Sequence, residues 1–511
     1  MQELLIYLPL ITPLFAAVLS LFLWKFTQAQ KGVFVAAAIL KLIFSVLLLL
    51  EVRDHGILST QLAGWDAPFG IPFVADVLSV MMVTVNSIIG FAVALYSLQS
   101  IDQERVNFGF YPLIHFMLFG ITGAFLTGDI FNLYVWFEVI LISSFVLLTL
   151  GSRKAQLEGA LKYVALNFLA SMIFLAGIGT LYGLTGSLNM ADLALIVPEM
   201  ENTGLLSLSA VFFLIAFGIK AAIFPLFFWL PAAYHTPPLS IAALMAGMLT
   251  KVGVYALIRF FTLIFNHDID FTHTILLWSG GFTMVVGVLG AAAQNDFRKI
   301  LSFHIVSQIG YMIMGLAFYT PLAIAGAIFF IVHNIIVKTN LFLISGIVNH
   351  AKGSYKLKQL GAVYDNYPYL AAFFVITAFA LTGLPPLSGF WPKFMLAKAG
   401  FTEGFYFITL VALGVSILTM FSMTKIWNEV FLKPLPDEVK NSINPLSRGA
   451  LWRNKIMLFL TVIFMVVLIL GMGLMAEPII DFSQTGAEQL LDPTEYIETV
   501  LPEEYLKEQE Q

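Results

Sequence analysis

Apolar residues run along this chain in blocks of about twenty, the length that carries an α-helix across roughly 30 Å of hydrocarbon. The blocks fall at approximately 4–24, 32–51, 71–98, 109–127, 130–151, 158–184, 207–230, 238–262, 273–294, 300–317, 321–347, 369–398, 403–432 and 454–476. The pattern predicts an all-α polytopic membrane protein of about fourteen transmembrane helices. The fourth and fifth are split only by Thr127-Gly128-Asp129.

Two blocks break their own helix. In the seventh, LIAFGIKAAIFPLFFWLP (214–231), Pro225 removes a backbone hydrogen bond and crowds the carbonyl four residues back. In the twelfth, TGLPPLSGFWPKF (382–394) sets three prolines among two glycines. Irregular backbone at membrane depth survives only inside protein or beside water, where freed carbonyls become ion sites. PLFFWLP (225–231) aligns with PLSGFWPK (386–393) if one insertion is allowed. The two breaks lie five spans apart, and an odd offset places the copies in opposite orientations, the mark of inverted repeats. The expected units are residues 1–108 (helices 1–3), 109–262 and 263–432 (two inverted five-helix repeats, helices 4–8 and 9–13), 433–476 (a cytoplasmic loop and helix 14) and 477–511 (an acidic tail).

Composition agrees. The chain is 59% hydrophobic and 11% charged, with a mean hydropathy of +0.90, where a soluble protein carries about a quarter charged residues. Alternate loops collect the basic residues: Lys25 and Lys31; Arg105; Arg153 and Lys154; Arg298 and Lys299; Lys352, Lys356 and Lys358; then Lys433, Lys440, Arg448, Arg453 and Lys455. These loops are expected in the cytoplasm and both termini outside, in a bacterial cell membrane. Arg53 is the main exception, and the loop 231–237 gives no vote. The first block lacks a signal-peptide pattern and reads as a retained span. The tail from Glu477 holds ten acids against Lys507 and is expected to hang in water outside, partly disordered.

Some chemistry is excluded. With no Cys there are no disulfides or thiolate-held clusters. The net charge of −5 gives no reason to expect nucleic acid. No phosphate-cradling loop, dinucleotide loop or HExxH occurs, so no cofactor is expected, and the energy source is an ion gradient or a partner.

Glu138, Lys220, Lys251, Lys338 and Lys393 stand deep in apolar spans. An ionisable group there is costly, faces water or another charge, and is a functional candidate. A nearby carboxylate stabilises a desolvated ammonium, so displacing it switches a lysine between holding and releasing a proton. Glu138 is expected to pair with Lys220, Lys251 to take the proton next, and Lys393 to be the terminal site. His235 and His333 titrate near neutrality and can relay. Asn334 and Lys338 share a helix face. Lys41 is assigned equally to a partner contact and to transport. Asp76 and Lys162 sit near span ends, where they can snorkel, and His115 and His304 read as packing residues.

The block KAAIFPLFFWLPAAYHTPPLSIAALMAGMLTKVGVYALIR (220–259) resembles the shared core of the antiporter-like subunits of respiratory complex I and of Mrp-type cation/proton antiporters, and QNDFRKILSFHIVSQIGYM (294–312) is similar to the next block of that family. TGDIFNLYVWFEVILISSFVLL (127–148) resembles its D-type Mrp branch, as does the chain's end soon after span fourteen. The resemblance implies a glutamate–lysine pair on Glu138 and Lys220, a central lysine on Lys251 and a terminal residue on Lys393. It also implies a hetero-oligomeric Mrp-type complex that exchanges H⁺ for Na⁺. The alternative is a proton-pumping subunit of a redox-driven complex, and a third reading is a non-transporting scaffold, against which the broken helices weigh.

Overall fold

Each apolar block forms a helix in the computed structural model, which describes residues 2–200, 203–436 and 454–509. The first half contains α1 (Gln2–Phe22), α2 (Thr27–His55), β1 (Leu58–Gln61), β2 (Pro72–Ala75), α3 (Val77–Ser100), α4 (Gln103–Asn107), α5 (Phe110–Leu126), α6 (Ile130–Thr149), α7 (Lys154–Thr185), α8 (Met190–Ile196), α9 (Thr203–Ala221), α10 (Trp229–Ala233) and α11 (Leu239–Leu263). The second contains α12 (Ile269–Ala293), α13 (Phe297–Phe318), α14 (Pro321–Lys352), α15 (Val363–Asn366), α16 (Pro368–Thr382), α17 (Phe390–Thr402), α18 (Tyr406–Ile426), α19 (Ile456–Leu474), α20 (Glu477–Leu491), α21 (Thr494–Val500) and α22 (Glu503–Gln509).

Twelve of these are long and apolar enough to cross a membrane, and the shorter apolar α5 and α16 bring the described spans to the expected fourteen. Span seven is α9 with α10, and span twelve is α16 with α17. α11, α13 and α14 form the buried centre, whereas α1, α2, α7 and α12 leave one face to lipid.

The inverted repeat is visible in matching backbone detail. At one end of the bundle Asp129 caps α6 and forms an isolated antiparallel bridge with Asn189, just past the end of α7. At the other end Asp296 caps α13 and bridges Lys356, just past the end of α14. α7 and α14 are each 32 residues long and end on left-handed glycines, Gly186 and Gly353. These three residue pairs share one constant chain offset. The breaks also match, each spanning seven residues, 222–228 and 383–389. They align without the insertion expected from sequence: Pro225, Leu226 and Pro231 correspond to Pro386, Leu387 and Pro392, and Trp229 to Phe390.

Three expectations change. Span three begins at Val77, because Pro72–Ala75 pairs with Leu58–Gln61 in a small hairpin. Asp76 does not snorkel: it caps α3 and is buried against Arg259, 2.5 Å away. The acidic tail is folded. α20 buries Ser483, Gly486, Ala487 and Leu490 at helical spacing, with Glu477, Asp481 and Glu488 exposed on the opposite side. Gly486 lets α20 lie against α3 and α14: a Cβ there would meet Val77 Cγ1 at 3.2 Å. Ser59 Oγ donates to the Thr499 carbonyl, and Ile57 N–H to Glu495. Lys440, Arg448, Arg453 and Glu510 lie outside the described residues.

The basic loops gather at one end. Arg298 stacks on Tyr355 and donates to the Pro237 carbonyl at 3.1 Å, which places the voteless loop 231–237 with them. Lys425 caps the end of α12 through the Ala292 and Gln294 carbonyls, and Lys455 bonds Gln99 at the end of α3.

Candidate functional site

The first break begins where Ala222 turns to a positive φ of 61°. Ile223 N–H reaches back to Gly218, and the Trp229 indole donates to the Ile219 carbonyl at 2.9 Å, so carbonyls released by the break are partly covered. Lys220 lies just before it, buried, with Nζ 3.3 Å from Ser171 Oγ and 4.6 Å from the Phe137 ring centroid. It lines a cavity of about 20 Å³ with Tyr163, Asn167, Trp229 and Leu249, the room of a single water. Glu138 acts on Lys220 as a charge through space. The two do not form an ion pair among the described residues, and Glu138 Oε1 has no protein partner. Lys220 spends its hydrogen bond on a hydroxyl instead, and the Phe137 ring occupies its α6 side.

The centre is built by α11, α13 and α14. Lys251 is wholly buried and donates to the Ala246 carbonyl at 3.1 Å. Lys338 is wholly buried with no partner for Nζ. Around it Asn334, Gln308 and both ring nitrogens of His304 also lack protein partners. Lys251 and Lys393 both act on the charge of Lys338, so the lysines form one electrostatic group. Native interiors leave few polar atoms unpaired and serve such groups with water. His304, expected to be packing, belongs to this polar centre.

The second break is held from its far side. Lys393 donates to the Leu381 and Thr382 carbonyls at 3.2 and 3.0 Å and to Ser416 Oγ at 3.0 Å. Its ammonium also lies 4.7 Å from the Tyr311 ring centroid. His333 reaches the break through Ser388, 2.9 Å from Nδ1, while its Nε2 is unpartnered. His235 sits apart at the basic end, half-buried, its Nδ1 2.8 Å from the Pro231 carbonyl. Burial lowers its pKa, and Lys299 and Arg298 push the same way.

At the opposite end Arg259 closes the face of α11 that carries Lys251 and Tyr255 at four-residue steps. It pairs with Asp76, donates to Ser79 and Tyr255, and faces the Tyr496 ring of α21 at 5.5 Å. Burial raises the pKa of Asp76, but the Arg259 charge and hydrogen bond outweigh it and hold the carboxyl below its usual range. None of Lys220, Lys251, Lys338 and Lys393 makes an ion pair among the described residues, whereas Arg259 does.

Residues 127–419 match the membrane-domain family described as NADH:quinone oxidoreductase/Mrp antiporter. The chain belongs to that family. A relative from Alkalihalophilus pseudofirmus, named as the D-type subunit of a Na⁺/H⁺ antiporter, is 46% identical over 98% of this chain and 99% of its own length. The same-named protein of Bacillus subtilis is 40% identical over 98% and 99%. Among solved structures, a chain of the Mrp complex from Dietzia sp. superposes with a TM-score of 0.91 at 30% identity, covering 98% of this chain and 99% of that one. A chain of respiratory complex I from Thermus thermophilus shares the fold at a TM-score of 0.77 and 23% identity, over 96% and 100%.

In this antiporter-family chain the broken spans and interior lysines were legible in sequence. Ser171, Gln308, Ser388, Ser416 and the Asp76–Arg259 pair were not. Each is a polar residue with no motif around it, and the repeat offset points to one of them: Ser171 corresponds to Lys338.

Proposed function

We propose that this chain moves protons within a multi-subunit Na⁺(cation)/H⁺ antiporter, through Glu138, Lys220, Lys251, Lys338, His333 and Lys393, while the complex exports Na⁺. The single observation that carries this is the row of interior lysines without ion-pair partners, running between two helix breaks. A scaffold would pair or omit such charges. The names of the relatives and the likeness to a chain of an Mrp complex support the exchange of Na⁺ for H⁺ and the need for other subunits.

Glu138 holds the Lys220 ammonium charged by its field. A proton leaves Lys220 when that field is weakened, crosses by water to Lys251 and Lys338, and reaches Lys393 at the second break. His333, beside Ser388, relays near the end of this route. His235 lies at the basic end, taken as cytoplasmic, where it can gather protons for Lys220. In this orientation both termini, the hairpin and α20–α22 are outside. The five-helix units 109–262 and 263–432 are the working halves.

Lys220→Ala and Glu138→Ala, in the assembled complex reconstituted into vesicles, should abolish Na⁺-dependent proton movement. Wild-type exchange in both variants would refute the route.

A further inference from the structure

Lys41 is a lysine buried in mid-span that the proposed route does not use. It is 3% exposed, and its ammonium has no protein partner. α2 turns it inward, toward α3 and α5, and away from the lipid-facing Leu40, Ile43 and Leu47. One turn on, Ser45 Oγ donates to the Lys41 carbonyl and meets Ser87 Oγ of α3 at 2.7 Å. From α5 comes His115, 1% exposed, on whose imidazole the Lys41 charge acts. Its ring lies 5.0 Å from that of Phe34, and its Nε2 is unpartnered. Tyr111 OH, one turn earlier on α5, and Asn86 Oδ1 of α3 are also buried without partners. The Asn86 amide is held by Thr122 Oγ1 at 3.1 Å.

A lysine placed only for packing would have its ammonium paired or would be a methionine. A partner contact, the other expectation for Lys41, needs an outward side chain, and this one is enclosed by its own chain. Four unpartnered polar atoms in one interior region call for water. The groups able to set the charge here are few. On α5 they are His115 and Tyr111. On α1, Glu3 and Tyr7 lie at the outer end, where Tyr7 bonds the hairpin. On α3, Asp76 is committed to Arg259. On α2 itself, Glu51, Arg53 and His55 lie at the outer end. No carboxylate among the described residues faces the ammonium, so a proton on Lys41 and one on His115 exclude each other by like-charge repulsion.

We propose that Lys41 and His115 form a second proton-holding site in the first four spans, sharing a single exchangeable proton through water. The site lies across α3 from the lysine row and rests on the proposed proton-moving function. It needs no new chemistry: a proton passes from ammonium to imidazole, and no other bond forms or breaks.

The test is Na⁺-dependent proton movement by the reconstituted whole complex, measured against pH. It compares wild type, Lys41→Met, Lys41→Arg and His115→Gln, with Lys220→Ala in parallel. Lys41→Met keeps the shape and removes an unpaired buried charge, so a merely structural lysine predicts full assembly and wild-type rates. The proposal predicts that Lys41→Met and Lys41→Arg, which respectively cannot hold or cannot release the proton, each slow exchange by roughly tenfold or more. It predicts that His115→Gln displaces the pH midpoint. Wild-type rates and an unchanged pH profile in the Lys41 variants, with Lys220→Ala inactive, overturn this site and leave the main route standing. Activity in Lys220→Ala as well overturns both. If Lys41→Met does not assemble, His115→Gln decides: an unmoved pH midpoint overturns the site.

Discussion

The two helix breaks are copies of one device, and they differ in where the amine enters. In the first, Lys220 stands before the break. In the second, the residue at that position is Leu381, and the lysine comes from after the break, where the first copy has Ala232. Yet Lys393 reaches back and bonds the Leu381 carbonyl. Both halves thus deliver an ammonium to the same place in the repeat, from opposite flanks. The partners differ too. Lys220 meets one hydroxyl and the field of a distant carboxylate. Lys393 closes two carbonyls that the break itself released. The comparison teaches that the scaffold fixes where the charge must sit, while the sequence chooses whether that charge is loosely held or also holds the backbone.

The largest test of this asymmetry is functional. Lys220→Met should eliminate exchange while the thermal unfolding of the complex stays near wild type, because Ser171 Oγ retains the Asn167 carbonyl at 3.2 Å. Lys393→Met should also eliminate exchange, but it leaves the Leu381 and Thr382 carbonyls unpaired, at about 1–3 kcal/mol each. Its melting temperature should therefore fall clearly below that of Lys220→Met; equal melting temperatures would erase the distinction. A smaller effect probes the symmetry. Asp129→Ala and Asp296→Ala each remove a helix cap and should each cost about 0.5–2 kcal/mol, alike within error; a one-sided loss would show that the matching bridges do unequal structural jobs.

The smallest effect is a pH slope. Burial pushes the Asp129 carboxyl up to about 6. A carboxyl raised in the fold binds its proton more tightly folded than unfolded. Its contribution is therefore full below about pH 4 and is lost as pH rises through about 6. Asp129→Asn keeps the cap and should gain stability over wild type in melts near neutral pH but not in acid. A flat difference between variant and wild type would contradict the raised carboxyl.

Most of this architecture was written in apolar period and proline placement. Fourteen spans, two breaks and five interior charges follow from the cost of polar groups in hydrocarbon, which punishes any other arrangement. The repeat was only half legible. PLFFWLP and PLSGFWPK suggest it, but the bridges Asp129–Asn189 and Asp296–Lys356 use backbone groups, which leave no side-chain signature. The tail was misread because ten acids dominate its composition, while its buried helical face, Ser483, Gly486, Ala487 and Leu490, is mostly small residues with a single large apolar side chain. The Glu138–Lys220 pair was expected from charge and from the family resemblance; here Glu138 acts on Lys220 through space while the ammonium bonds the Ser171 hydroxyl, which the sequence did not mark. Asp76 was expected at a wet boundary because its partner, Arg259, lies far along the chain.

The tail carries one more consequence. Ile57 and Ser59 at β1, and Arg259 of α11, are covered by groups far later in the chain, Glu495, Thr499 and Tyr496. During synthesis the Asp76–Arg259 end of the bundle therefore stays uncovered until α20 and α21 join it. Sealing this end is a late step of assembly, and a product stopped after α19 would be inserted yet left open there.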